Sequence, residues 1–157
     1  MKKIELAENI YSSTAVHNDN HREKILKVKD VCLKFKDIAP NYFEYFEPLK
    51  IVIRPIKGHT LAEYLFYSNE IHITSKITAK KEIIKNLCHE YTHANQYYAV
   101  NLKVSYNIKY ENYDFIWNSN TYSYPYVNKN YPDLPWEIQA DQTGNLALYI
   151  YNEYFKK

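Results

Sequence analysis

Ile83, Ile84, Leu87, Cys88 and Tyr91 recur at three- and four-residue intervals, the period of an α-helix with one apolar face. The pattern predicts a helix from a cap at Thr78, whose hydroxyl can accept from an unpaired first-turn N–H, to about Val100. Inside it stands His89-Glu90-Tyr91-Thr92-His93. Residues four apart on a helix share a face, so His89 and His93 can place two imidazoles on one ion. Glu90, one position round, can reach a water that such an ion activates, where a general base belongs. The plainer reading of so short a motif is two surface histidines beside an acid.

A second helix is expected from Asp133 as its cap, with Pro135 in the first turn, to the C-terminus. It carries Glu137 and Asp141, again four apart and on one face. A catalytic zinc usually has three protein ligands and one open position. Glu137 completes a His, His, Glu set, and Asp141 can accept the remaining ring N–H of a ligating histidine and fix its tautomer. Ala140 and Gly144 would let the two helices approach closely. Acids also favour a helix start for its dipole alone, and that is the better reading of Glu137 and Asp141 in isolation. Beside His89 and His93 it is not.

The combined pattern His89, Glu90, His93, Gln96 followed by Glu137, Ala140, Asp141 resembles the gluzincin metallopeptidases, in particular the compact zincin-like domains of bacteria, phages and mobile elements. The resemblance spans Cys88 to Asp141 and the hairpin before it; the first fifty residues carry none. It implies an α+β, zincin-like fold: a small twisted sheet with an edge-strand hairpin on the active-site helix, and a C-terminal helix bearing the third ligand. It further implies one Zn2+ per chain on His89, His93 and Glu137, Asp141 behind a histidine, and a peptide or protein substrate antiparallel to an edge strand, here Glu70 to Thr74. Such enzymes usually stabilise the oxyanion with a Tyr, His or Arg. Tyr106, Tyr110 and Tyr113 are candidates by location, although a structural role is the commoner one for any tyrosine in this chain. Gln96, two turns beyond His89, either supports a ligand's surroundings or is a polar surface residue.

Elsewhere the chain reads as one domain. Residues 1–50 are a helical part: Ile25, Val28, Cys32, Phe35 and Ile38 give an amphipathic helix from His21, ended by Pro40. Residues 51–100 hold a β-rich run, "KIVIRPI", a hairpin and the histidine helix. The hairpin pairs Ala62–Tyr67 with Glu70–Thr74 through Ser68-Asn69, with Ile71 and Ile73 on one face. Residues 101–133 lose periodicity and read as a long loop, a candidate lid or substrate wall. Residues 134–157 are the C-terminal helix. His17, His21, His59 and His72 have no ligand-like spacing.

Twenty Lys and Arg against eighteen Asp and Glu leave a net charge of +2, which argues against a nucleic-acid or anionic-membrane binder. No apolar run has the length of a transmembrane span, and "MKKIELAENIYSS" has no apolar core behind its charges; a cytoplasmic protein is expected. Two cysteines, Cys32 and Cys88, read as buried thiols rather than a disulfide framework. Eighteen Tyr against two Gly fit the coding bias of a low-GC bacterium or phage, or a tyrosine-lined groove. The function expected is zinc-dependent peptide hydrolysis with Glu90 as general base. The alternative is a zincin fold that holds zinc but only binds or regulates.

Overall fold

The structure is a computed structural model that describes residues 10–12, 23, 50–77, 79–98 and 101–154. Apart from Glu23, the helix expected from His21 to Ile38, with Cys32, lies outside the described residues, as does Thr78. What is described is a mixed α+β arrangement of two small sheets and three helices.

The first sheet contains β1 (Ile10–Ser12), β2 (Lys50–Arg54), β3 (Ala62–Leu65) and β4 (Glu70–Thr74), in the order β1-β2-β4-β3. β1, β2 and β4 run parallel, and β3 returns antiparallel to β4. The β3–β4 hairpin has the expected partners; its turn starts earlier, at Phe66, with Asn69 taking a positive φ of 52°. Ile51, Ile53, Ile71 and Ile73 alternate along their strands onto one face and are almost fully buried there. Because β2 pairs with β4, β4 is internal. The free edge beside the hairpin belongs to β3, not to Glu70–Thr74 as the sequence suggested.

The isoleucine face packs on α1 (Lys80–Tyr98), which contributes Ile83, Ile84, Leu87, Cys88 and Tyr91 to the same core. The Ile83 N–H bonds the Ala79 carbonyl, which places the helix cap at Ala79. Residues 101–133 are not a loop. They form a three-stranded antiparallel sheet, β5 (Leu102–Asn107), β6 (Asn112–Trp117) and β7 (Asn120–Tyr122), and a short helix, α2 (Tyr124–Asn130). Asp114 ties them together, accepting from the Asn107 amide and from the Tyr124 backbone N–H, both at 2.7 Å. Leu102, Trp117, Leu134 and Trp136 make a second, smaller core beneath this sheet.

The last helix, α3 (Pro135–Tyr154), begins one residue later than Asp133 would set it. The Leu134 carbonyl accepts the first helical bond, from Ile138, so a buried leucine occupies the cap position. Packing of Leu134 and the fixed φ of Pro135 decide the start. α3 lies against α1, and the tightest point is Gly144: a Cβ there would stand 2.9 Å from the Lys85 carbonyl oxygen. That neighbour is backbone and cannot swing aside. Gly144→Ala is therefore expected to push the helices apart and lower unfolding stability by about 1–3 kcal/mol, the usual range for overpacking. Chemical denaturation measures it, and a stability equal to wild type contradicts this helix contact.

Candidate metal centre

α1 and α3 each present one polar face at their crossing. His89 and His93 project from successive turns of α1, and Glu137 from the first turn of α3. The two histidine Nε2 atoms are 3.1 Å apart, and one Glu137 oxygen lies 3.3 Å from the first and 3.4 Å from the second. Among the described residues this trio is the group of His, Cys, Asp and Glu side chains that could hold a metal ion. Cys88 lies in the isoleucine core and is not part of it.

The hydrogen bonds behind the trio decide which atoms face inward. His89 sets its Nδ1 2.9 Å from Asp141. A carboxylate accepts, so Nδ1 carries the proton and Nε2 presents a lone pair. His93 is held by Gln96, whose amide NH2 donates to the Trp136 carbonyl at 3.0 Å and to Gln139 at 2.7 Å. A carbonyl can only accept, so the Gln96 oxygen must be the atom 2.9 Å from His93 Nδ1, and this histidine too presents a bare Nε2. Gln96 is 2% exposed, and its contacts exclude the surface-residue reading.

Three lone pairs thus converge on one point. Tetrahedral zinc with ligand bonds of about 2.0–2.1 Å separates its ligand atoms by about 3.3 Å, and the three distances here are 3.1, 3.3 and 3.4 Å. Donor chemistry, spacing and tautomers all fit a divalent ion with a preference for imidazole and carboxylate.

Electrostatics agrees. Burial would raise the Glu137 carboxyl, but hydrogen bonds and charge from His89 and His93 outweigh it and hold it at about 2. Burial would lower His93; Glu137 and Glu90 outweigh that and push it above its ordinary value. Glu90, 8% exposed, is raised mainly by burial, against the pull of both histidines and a hydrogen bond from the Tyr64 backbone.

His93 and Glu137 of the trio line a cleft of about 320 Å³. One wall is β3 and the residues beside it, with Ala62, Tyr64 and Phe66; the floor holds Glu90, His93 and Tyr97 from α1; the far wall is Phe115, Trp136 and Tyr131. Tyr106, Tyr110 and Tyr113 do not line it. Tyr106 and Tyr110 are exposed on the β5–β6 hairpin, and Tyr113 packs on Phe66 and Tyr106. The tyrosine that does reach the trio is Tyr131, between α2 and α3. The residue is largely open to solvent; burial, then the nearby Glu137 carboxylate, raise the pKa of its hydroxyl. No motif marks Tyr131 in the sequence, because the turn after α2 brings it there. His72 lies on the other face of the first sheet, accepting from Arg54 Nε at 2.6 Å and bonded to Glu70.

Comparison with family models, curated proteins and solved structures finds no match to this chain.

In chelator-treated protein, Glu137→Gln removes the largest of the groups that raise His93, leaving Glu90 and Gln96 against burial. The His93 midpoint is then expected to fall. An NMR titration of the imidazoles reads this directly; an unmoved midpoint contradicts the His93–Glu137 contact.

Proposed function

We propose that this chain is a zinc-dependent peptidase in which His89, His93 and Glu137 hold the metal. The observation that carries the reading is the convergence of three inward lone pairs at tetrahedral spacing, with His93 and Glu137 lining a cleft. Three protein ligands leave a position open to water or substrate, whereas structural zinc is normally closed by four. When bound, zinc supplies Lewis acidity to a substrate carbonyl and lowers the pKa of a coordinated water.

The chain's own groups do the rest. Glu90, buried at the cleft floor, takes a proton from the attacking water and returns it to the departing amine nitrogen. Asp141 and Gln96 keep both histidines in the tautomer that leaves Nε2 bare. Tyr131 has its hydroxyl beside Glu137 and donates to the oxygen that gains negative charge as the carbonyl is attacked. The substrate backbone lies along β3. Thr74 donates to the Leu61 carbonyl at 2.9 Å, so in the alternating antiparallel ladder the backbone groups of Ala62 turn outward, as do those of Tyr64, whose N–H is taken by Glu90. The Ala62 stretch of this edge is where an extended peptide adds as a strand.

Purified without chelator, the protein is expected to hold one zinc per chain. Glu137→Ala removes a ligand and should cost more affinity than Asp141→Ala, whose loss is about 10–100-fold. Glu90→Gln should keep zinc while hydrolysis of a peptide pool falls by roughly 10²–10⁴-fold. Zinc content and cleavage rate on the same preparations check both. Cleavage that survives Glu90→Gln overturns the mechanism, and zinc without any wild-type cleavage supports the binding-only alternative.

Tyr131→Phe removes a hydroxyl and little else. It is expected to lower kcat by about 10²–10³-fold, the worth of one oxyanion donor, with zinc content unchanged. A wild-type kcat in this variant removes Tyr131 from the chemistry.

A further inference from the structure

Beyond the metal trio, the cleft is walled by rings. Tyr97 stands four residues, just over one turn, after His93 on α1 and stacks on Phe66 with centroids 5.4 Å apart and planes 13° from parallel. Phe115, which also lines the cleft, stacks on Trp136 at 5.3 Å and 13°. Leu102, 2% exposed, is a further lining residue. No Lys or Arg lines the cleft, and its acids are already engaged: Glu63 with Arg54 at 2.7 Å, Glu137 with both histidines, Glu90 with the Tyr64 backbone. A basic side chain would find no unengaged acid there and an acidic one no Lys or Arg. An apolar side chain would bury against four rings and a leucine. The volume, about 320 Å³, is at the low end of small-ligand pockets, roughly 300–1,000 Å³. It has room for one large side chain with its share of backbone, and none for a folded surface.

We propose that this ring-walled end of the cleft is a specificity pocket for an aromatic or large aliphatic side chain of an extended peptide, next to the bond held at the metal centre. The proposal rests on the peptidase reading for the reaction, but the fit itself is a binding property. A peptide paired with the outward edge of β3 puts alternate side chains towards the α1 side of the sheet, where Tyr64 already points. The side chain beside the trio then enters between Tyr97 and Phe115. The stacked pairs are preformed, so the occupant orders little protein on entry.

The test uses N-acetylated, C-amidated alanine hexapeptides with one position changed to Phe, Leu, Ala, Lys or Asp. Cleavage by zinc-loaded wild type and equilibrium binding to zinc-loaded Glu90→Gln are both measured. Phe and Leu peptides are expected to exceed Ala by at least about tenfold in either assay, and Lys and Asp to fall at or below Ala. Phe115→Ala, and Phe115→Leu should the first fold poorly, should reduce the Phe-to-Ala ratio itself. Cleavage with equal rates for Phe and Ala overturns the pocket and leaves the peptidase reading standing. Selective binding of Phe without wild-type cleavage supports the pocket and overturns the peptidase reading. A preference for Lys or Asp, an unchanged ratio in both Phe115 variants, or neither binding nor cleavage, overturns the pocket.

Discussion

The contact between α1 and α3 is the constraint on which the rest of the molecule depends. Gly144 lets the helices close to a distance at which any side chain would meet the Lys85 carbonyl, and that closeness brings Glu137 within 3.4 Å of both imidazoles. Three lone pairs so near one another repel unless a positive charge lies between them. Without metal, the same closeness favours a proton on His93 over its bare Nε2, lowering Glu137 and raising His93. The signs set the pH behaviour of the metal-free form. A lowered carboxyl stabilises above its unfolded value of 4.5 and loses that contribution as pH falls towards about 2. A raised histidine stabilises below 6.5 and loses its contribution as pH rises through its folded value. Both contributions are full between 4.5 and 6.5. A metal must displace the proton, so binding tightens as pH rises.

Much of this centre was legible in the sequence because helical periodicity is local. Spacing alone put His89 with His93 and Glu137 with Asp141, and Ala140 and Gly144 suggested that the two helices could approach closely. Gln96 was ambiguous there, since its role depends on the Trp136 carbonyl forty residues away. The second sheet was not legible, for two physical reasons. β5 buries only Leu102 fully, so it lacks the alternation of a half-buried strand. Its turns also lack the usual markers: Glu111, Asn118 and Ser119 take positive φ values of 47°, 47° and 67° in a chain with two glycines, so no Asn-Gly or Asp-Gly advertises the hairpins. The edge strand was misplaced because the parallel pairing of β2 with β4 is a long-range fact, and Tyr131 was missed because tertiary packing alone carries it to Glu137.

The second sheet changes what the site can do. In the sequence, residues 101–133 read as a lid or a substrate wall; as a sheet on its own core of Leu102, Trp117, Leu134 and Trp136 they supply Leu102 and Phe115 to the cleft lining. Trp136 joins the two functions: its ring lines the cleft while its carbonyl orients Gln96 and through it His93. Among the described residues no helix is long and apolar enough to cross a membrane.

The most direct test of the central claim is X-ray absorption at the zinc edge on protein loaded with one equivalent of the metal. Two imidazole nitrogens and one carboxylate at about 2.0–2.2 Å, with one further light-atom position open to water, is the expected first shell. That shell should lose one imidazole in His93→Ala. A sulfur scatterer at about 2.3 Å, or a shell unchanged by His93→Ala, would contradict the convergence of His89, His93 and Glu137 on a single ion.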